Sequence, residues 1–175
     1  MNFPNILSLS RIFLTFPIIL FFESSLYYLS ALIFVAAATT DFLDGYIARK
    51  RNEATELGSL LDLLADKIFV SILLIWATFN FQDDLILISA VLIITREISV
   101  SYLRLFFISQ KKELNDLKAD STGKMKTALQ MTGLGLLLIS PYFSYIFLYT
   151  SILLVLFSAF LSWYSLLKYL NKWNV

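Results

Sequence analysis

TALQMTGLGLLLISPYFSYIFLYTSILLVLFSAFLSWYSLL (residues 127–167) carries no charge from end to end. A bilayer-spanning helix needs about 20 mostly apolar residues, so this stretch is long enough to cross a membrane twice. Pro141 interrupts it in the middle and is followed by Tyr142 and Phe143. Proline ends a helix, and aromatic rings settle at a membrane interface, so the stretch reads as two antiparallel spans joined by a turn. The rest of the chain agrees. Of 175 residues, 58% are hydrophobic and 15% charged, against about 25% charged in an ordinary soluble domain. A single core in so short a chain leaves too much surface outside to hide this apolar content from water.

Six segments have the length and composition of spans: 5–22, 26–48, 57–80, 84–109, 123–143 and 147–170. Short polar breaks at Glu23-Ser24-Ser25 and Gln82-Asp83-Asp84 mark two further turns. The fold expected is all-α: an integral membrane bundle of six transmembrane helices, forming one domain over 1–175. The turns near 23–25, 81–84 and 141–146 hold no Lys or Arg, whereas Arg49, Lys50, Arg51, Lys111, Lys112, Lys118, Lys124, Lys126, Lys168 and Lys172 fall on the other side. By the positive-inside rule both termini and the 49–57 and 110–122 loops are expected in the cytoplasm. That describes a multi-pass protein of the cell (inner) membrane. The opening Met1-Asn2-Phe3-Pro4 lacks the basic n-region of a secretory signal, so no cleavage is expected.

The net charge of +1 gives no reason to expect a nucleic-acid partner. Cys and His are both absent, which excludes disulfides, thiolate nucleophiles, Cys/His zinc sites and histidine acid–base chemistry. Chemistry must rest on carboxylates, Lys, Arg, hydroxyls and a hard cation such as Mg²⁺ or Mn²⁺.

Against this background one constellation stands out. Asp41, Asp44, Gly45 and Ala48 fall at i, i+3, i+4 and i+7, on one face at the end of the second span, with Arg49 following. Gly58, Asp62 and Asp66 fall at i, i+4 and i+8 at the start of the third. The eight residues between Arg49 and Gly58 allow the two faces to meet, so four carboxylates converge at the cytoplasmic end of the bundle. One ionised Asp in a span costs about 2.5–3.5 kcal/mol, and four unpaired would cost on the order of 10–14 kcal/mol. Arg49 and Lys67 can neutralise part of this. Two divalent ions about 3.5–4 Å apart, bridged by carboxylates, neutralise clustered like charges better, and they recur in phosphoryl chemistry. Gly45 and Gly58 let a bulky ligand approach the backbone. Any one of these acids alone could be a helix cap or a snorkelling charge. Four at helical spacing beside two glycines point to function.

The pattern Asp-x₂-Asp-Gly-x₂-Ala-Arg-x₈-Gly-x₃-Asp-x₃-Asp, matched in full from Asp41 to Asp66, resembles the signature of the CDP-alcohol phosphatidyltransferases. The resemblance extends to six spans with cytoplasmic termini. It implies that Asp41, Asp44, Asp62 and Asp66 hold the metals, that Asp66 is also the general base, and that Gly45, Ala48, Arg49 and Gly58 line the cytidine diphosphate site. It also implies a homodimer. The acceptor hydroxyl then attacks the lipid-side phosphorus and CMP leaves, while a carboxylate takes the hydroxyl proton.

A second polar set concerns the acceptor. Arg96 and Arg104 lie eight residues apart on the fourth span, and Lys124 and Lys126 open the fifth. Cations facing a carboxylate-rich site suggest an anionic acceptor. Arg96 and Glu97 point about 100° apart on a helix and are not expected to pair with each other. Residues 95–104 and 123–131, with the opening 4–11, resemble the phosphatidylglycerophosphate synthase branch of the family. That resemblance implies CDP-diacylglycerol as donor, glycerol-3-phosphate as acceptor and membrane lipids as surroundings. Asn5 joins the CDP-lipid site on the same ground. Arg11 reads either as part of the nucleotide site or as a snorkelling anchor. The 110–122 loop is more polar than the resemblance implies. The alternatives are a cardiolipin synthase or another acceptor within the family and, from other classes, a cation transporter or a membrane scaffold. A transporter predicts carboxylates spread through the membrane depth, not clustered at one side.

Overall fold

The computed structural model describes residues 3–51, 56–109 and 121–173. Each expected span is a helix: α1 (Phe3–Glu23), α2 (Tyr27–Arg51), α3 (Glu56–Phe81), α4 (Asp84–Ser109), α5 (Ser121–Ile139) and α6 (Tyr145–Trp173). A 3₁₀ turn at Ser140–Tyr142 joins the last two. There is no strand among the described residues. Three helices hold segments long and apolar enough to cross a membrane, Leu63–Phe81, Asp84–Leu103 and Tyr145–Lys168, and Tyr27–Thr40 is a shorter apolar helix.

The helix ends follow from local chemistry. At the end of α1, the Ser25 N–H donates to Phe22 O and the Leu26 N–H to Phe21 O, at 2.9 and 2.8 Å. This is the Schellman closure, with Ser25 in the left-handed position (φ 63°) usually taken by glycine. At the start of α4, Asp83 Oδ1 accepts the N–H groups of Leu85 and Ile86 at 2.8 and 3.3 Å, which makes it an N-cap. α5 stops at Ile139 because Pro141 cannot donate within a continuing helix.

Chain-adjacent helices pair as α1–α2, α3–α4 and α5–α6, and contacts of α1 with α3, α2 with α5 and α4 with α6 complete a ring. The core runs through Ile18, Phe34, Phe69, Leu73, Ile93, Leu137 and Val155. Many large apolar side chains instead point outward, among them Phe13, Phe79, Ile146, Leu153 and Phe160. Such a surface suits hydrocarbon and would be a liability in water. Where hydrocarbon is the solvent, small residues let helices approach closely. A Cβ at Gly133 would lie 2.7 Å from Val155 Cγ2 and 3.1 Å from its backbone N. Ser151, Ser158, Ser162 and Ser165 form a buried small face along α6.

The end of the bundle at the 23–27, 82–83 and 140–144 turns is aromatic. Tyr28 stacks on Tyr142 at 4.4 Å, and the Trp76 Nε1–H and Asn80 amide donate to Glu23 Oε1 at 2.9 and 3.1 Å. Aromatic rings gathered at one rim suit a membrane interface.

Candidate active site

The last turns of α2 carry Asp41, Asp44, Gly45, Ala48 and Arg49, and the first turns of α3 carry Gly58 and Asp62. These segments are helical as expected, but their side chains lie outside the described residues, as do those of Asn5, Arg104 and Lys124. Whether the two aspartate faces meet therefore lies outside them too. Among the described residues no group of three or more acids is placed to hold a metal.

Asp66, Arg96 and Lys126 are described, and they line one cavity of about 200 Å³ enclosed by α3, α4, α5 and α6. A single water needs about 10–15 Å³ on this measure, so the cavity has room for a small polar molecule. Val70, Ile93, Val100 and Met131 supply apolar wall, and Lys67, Glu97 and Gln130 add polar groups. The candidate base and two of the candidate phosphate-binding cations, read from separate stretches of sequence, thus share one space.

Asp66 is about one-third exposed and ion-pairs with Arg11, whose side chain is 1% exposed. A guanidinium taken fully out of water needs such a partner. This overturns the reading of Arg11 as a snorkelling anchor, since its charge ends on Asp66 inside the bundle.

Glu97, on α4, gathers three cations. Lys126 Nζ and Arg96 Nη1 both donate to Glu97 Oε1, the latter at 2.7 Å. Lys67 Nζ lies 3.6 Å from Glu97 Oε2 and donates to the Glu97 carbonyl and to Ser101 Oγ. The expectation that Arg96 and Glu97 would not pair is wrong, and the cause is visible. Arg96 Nε donates to the Ser162 carbonyl on α6 at 3.1 Å. This lays the guanidinium across the helix interface and swings Nη1 back over the neighbouring carboxylate. Cβ directions govern short side chains, and a long stem held at a third point escapes them. Lys126 Nζ also reaches Ser162 Oγ at 3.5 Å. Among the described residues Arg96 and Lys126 share one carboxylate, so these groups together carry surplus positive charge.

Sequence reasoning missed Glu97 as the hub, Arg11 as the partner of Asp66, and Gln130 in the cavity wall. A signal existed for the first: a lone acid within a spanning segment has to be paired, and two of the three cations that reach it, Arg96 and Lys126, were already assigned to the acceptor.

The family model for CDP-alcohol phosphatidyltransferase matches residues 1–163. A protein of Wigglesworthia glossinidia brevipalpis is 39% identical over 173 residues, covering 97% of this chain and 93% of its own length. Proteins of Salmonella choleraesuis (strain SC-B67) and Escherichia coli (strain K12) are 35% and 34% identical with the same coverage. All three are named CDP-diacylglycerol–glycerol-3-phosphate 3-phosphatidyltransferase.

Proposed function

The chain belongs to the CDP-alcohol phosphatidyltransferase family, and on that premise we propose that it transfers the phosphatidyl group of CDP-diacylglycerol to glycerol-3-phosphate, giving phosphatidylglycerol phosphate and CMP. The observation that carries the reading is the shared cavity, with Asp66 on one wall and the Arg96–Glu97–Lys126 corner on another. The names of relatives aligned along nearly the whole chain support the same donor and acceptor.

In this reading Arg96 and Lys126 bind the acceptor phosphate, whose charge balances their surplus over Glu97, and Arg104 and Lys124 extend the cationic surface. A bound phosphate leaves the far hydroxyl free to face Asp66. Asp66 takes the proton as the hydroxyl oxygen bonds to the lipid-side phosphorus, and the bond from that phosphorus to the CMP oxygen breaks. Holding nucleophile and base in one small space is itself a large part of such catalysis. Gly45, Ala48, Arg49, Gly58 and Asn5 form the CDP-lipid site.

Asp41, Asp44, Asp62 and Asp66 would hold the divalent metal, two ions of Mg²⁺ or Mn²⁺. The donor set fits hard cations, being all carboxylate oxygen, and Asp66 opens onto the cavity while remaining one-third exposed. Bound there, the metal supplies charge neutralisation at the pyrophosphate and the departing CMP. Six spans, an inner-membrane location, cytoplasmic termini and a site facing the cytoplasm follow from the basic residues. The apolar outer faces are compatible with a homodimer.

The test is CMP release from CDP-diacylglycerol by purified protein, with Mg²⁺ and Mn²⁺ compared and glycerol-3-phosphate set against phosphatidylglycerol, serine and inositol phosphate. Glycerol-3-phosphate is expected to be preferred, and preference for another acceptor overturns the assignment. Asp66→Asn is expected to lower the rate about 10²–10⁴-fold. Release that survives this change removes Asp66 as the base.

A further inference from the structure

Gln130 is 6% exposed and lines the cavity that holds Asp66, Arg96 and Lys126. Its carboxamide has no hydrogen-bond partner among the described residues, and its polar atoms are not sealed from the cavity. A primary amide brings two donors and a two-lone-pair acceptor, and opening onto the cavity these are free to be satisfied by water or a ligand there. Ser71 on α3 and Ser165 on α6 line the same cavity and also lack a partner among the described residues. Neutral hydrogen-bonding capacity thus converges from three helices beside a cationic corner.

Position says what Gln130 could meet. It lies four residues after Lys126, on the same face of α5. Helical Cα–Cβ bonds tilt towards the N-terminus, so its carboxamide leans back towards the turn that carries Lys126. One turn is about 5.4 Å, comparable to the span from a phosphate group to a hydroxyl two carbons along the chain that bears it. The neighbouring wall, Val70, Ile93 and Met131, is apolar and reads no hydroxyl.

We propose that Gln130 is a specificity residue that hydrogen-bonds the non-reacting middle hydroxyl of the acceptor while Lys126 and Arg96 hold its phosphate. The inference rests on glycerol-3-phosphate being the acceptor. That molecule has two hydroxyls: the terminal one attacks phosphorus, and the middle one is a spectator of the chemistry. The carboxamide can donate to the spectator oxygen and accept its proton at once. An acceptor with a methylene there leaves Gln130 unsatisfied, and such mismatches discriminate well.

The experiment compares glycerol-3-phosphate with 1,3-propanediol monophosphate, which keeps the terminal hydroxyl and lacks the middle one. CMP release is measured with full-length wild type and with Gln130→Met. Wild type is expected to favour glycerol-3-phosphate by about 10- to 100-fold in kcat/KM. Gln130→Met is expected to lose that preference, falling on glycerol-3-phosphate while keeping its rate on the deoxy acceptor. If wild type uses both equally, the proposal is overturned without recourse to the variant, which covers the case of a variant that does not fold. Undiminished preference in Gln130→Met also overturns it and leaves the acceptor assignment standing. If wild type uses neither phosphate, the acceptor assignment fails and takes this inference with it.

Discussion

At the scale of single residues, Glu97 carries the sharpest consequence. It is one carboxylate among Lys67, Arg96 and Lys126, so removing its charge leaves cations facing one another inside the bundle. Breaking a buried pair by deleting one partner costs about 3–5 kcal/mol. Glu97→Gln is therefore expected to lower the thermal midpoint in detergent, and millimolar glycerol-3-phosphate or inorganic phosphate should restore part of the loss by supplying the missing negative charge. A variant indifferent to both anions would show that Arg96 and Lys126 do not form a phosphate site. The aspartate pattern was read from its helical spacing alone, and of its four acids only Asp66 has a described side chain. The Glu97 hub was not legible, because Lys67 and Lys126 come from other helices, and the one local rule available, that adjacent residues diverge, fails for a side chain pinned by Ser162.

Among the elements, the α5–α6 interface is the most demanding. An added Cβ at Gly133 meets the backbone of Val155 as well as its side chain, whereas at Gly135 it meets the Phe34 ring at 3.2 Å. A ring edge can yield by a few tenths of an ångström, and a helix backbone cannot without moving the helix. Gly133→Ala is therefore expected to cost about 1–3 kcal/mol, seen as a lower thermal midpoint, and Gly135→Ala distinctly less. Equal effects would mean that the helices are not in close contact at Gly133. Element boundaries were largely readable, because Glu23-Ser24-Ser25 and Gln82-Asp83-Asp84 hold the chemistry that closes one helix and caps the next. The fifth span was expected to run to 143, and the helix ends at Ile139 with a 3₁₀ turn. Pro141 was correctly read as the break, but its effect reaches back into the preceding turn.

For the whole molecule, helical class was legible from composition and helix order was not. In hydrocarbon the outward face is as apolar as the inward one, so periodicity that would orient a helix in a soluble protein is weak here. Phe16 and Ile18, two residues apart on α1, are 60% and 0% exposed although both are strongly hydrophobic. Buried small and polar residues such as Arg11, Thr15 and Ser158 distinguish the faces, and they become informative once neighbours are known.

The pairing of the helices by chain order has a consequence for biogenesis. α5 and α6 follow the first four helices in synthesis, yet α5 supplies Lys126 and Gln130 and α6 the Ser162 carbonyl that positions Arg96. In the proposed reading, a nascent chain that has inserted its first four helices carries the aspartates without the α5 and α6 residues that would bind the acceptor, so turnover waits for those two helices. Residues 1–109 and 110–175 made as separate polypeptides should each be inactive and should regain CMP release when co-inserted. Activity in the first fragment alone would place the acceptor elsewhere.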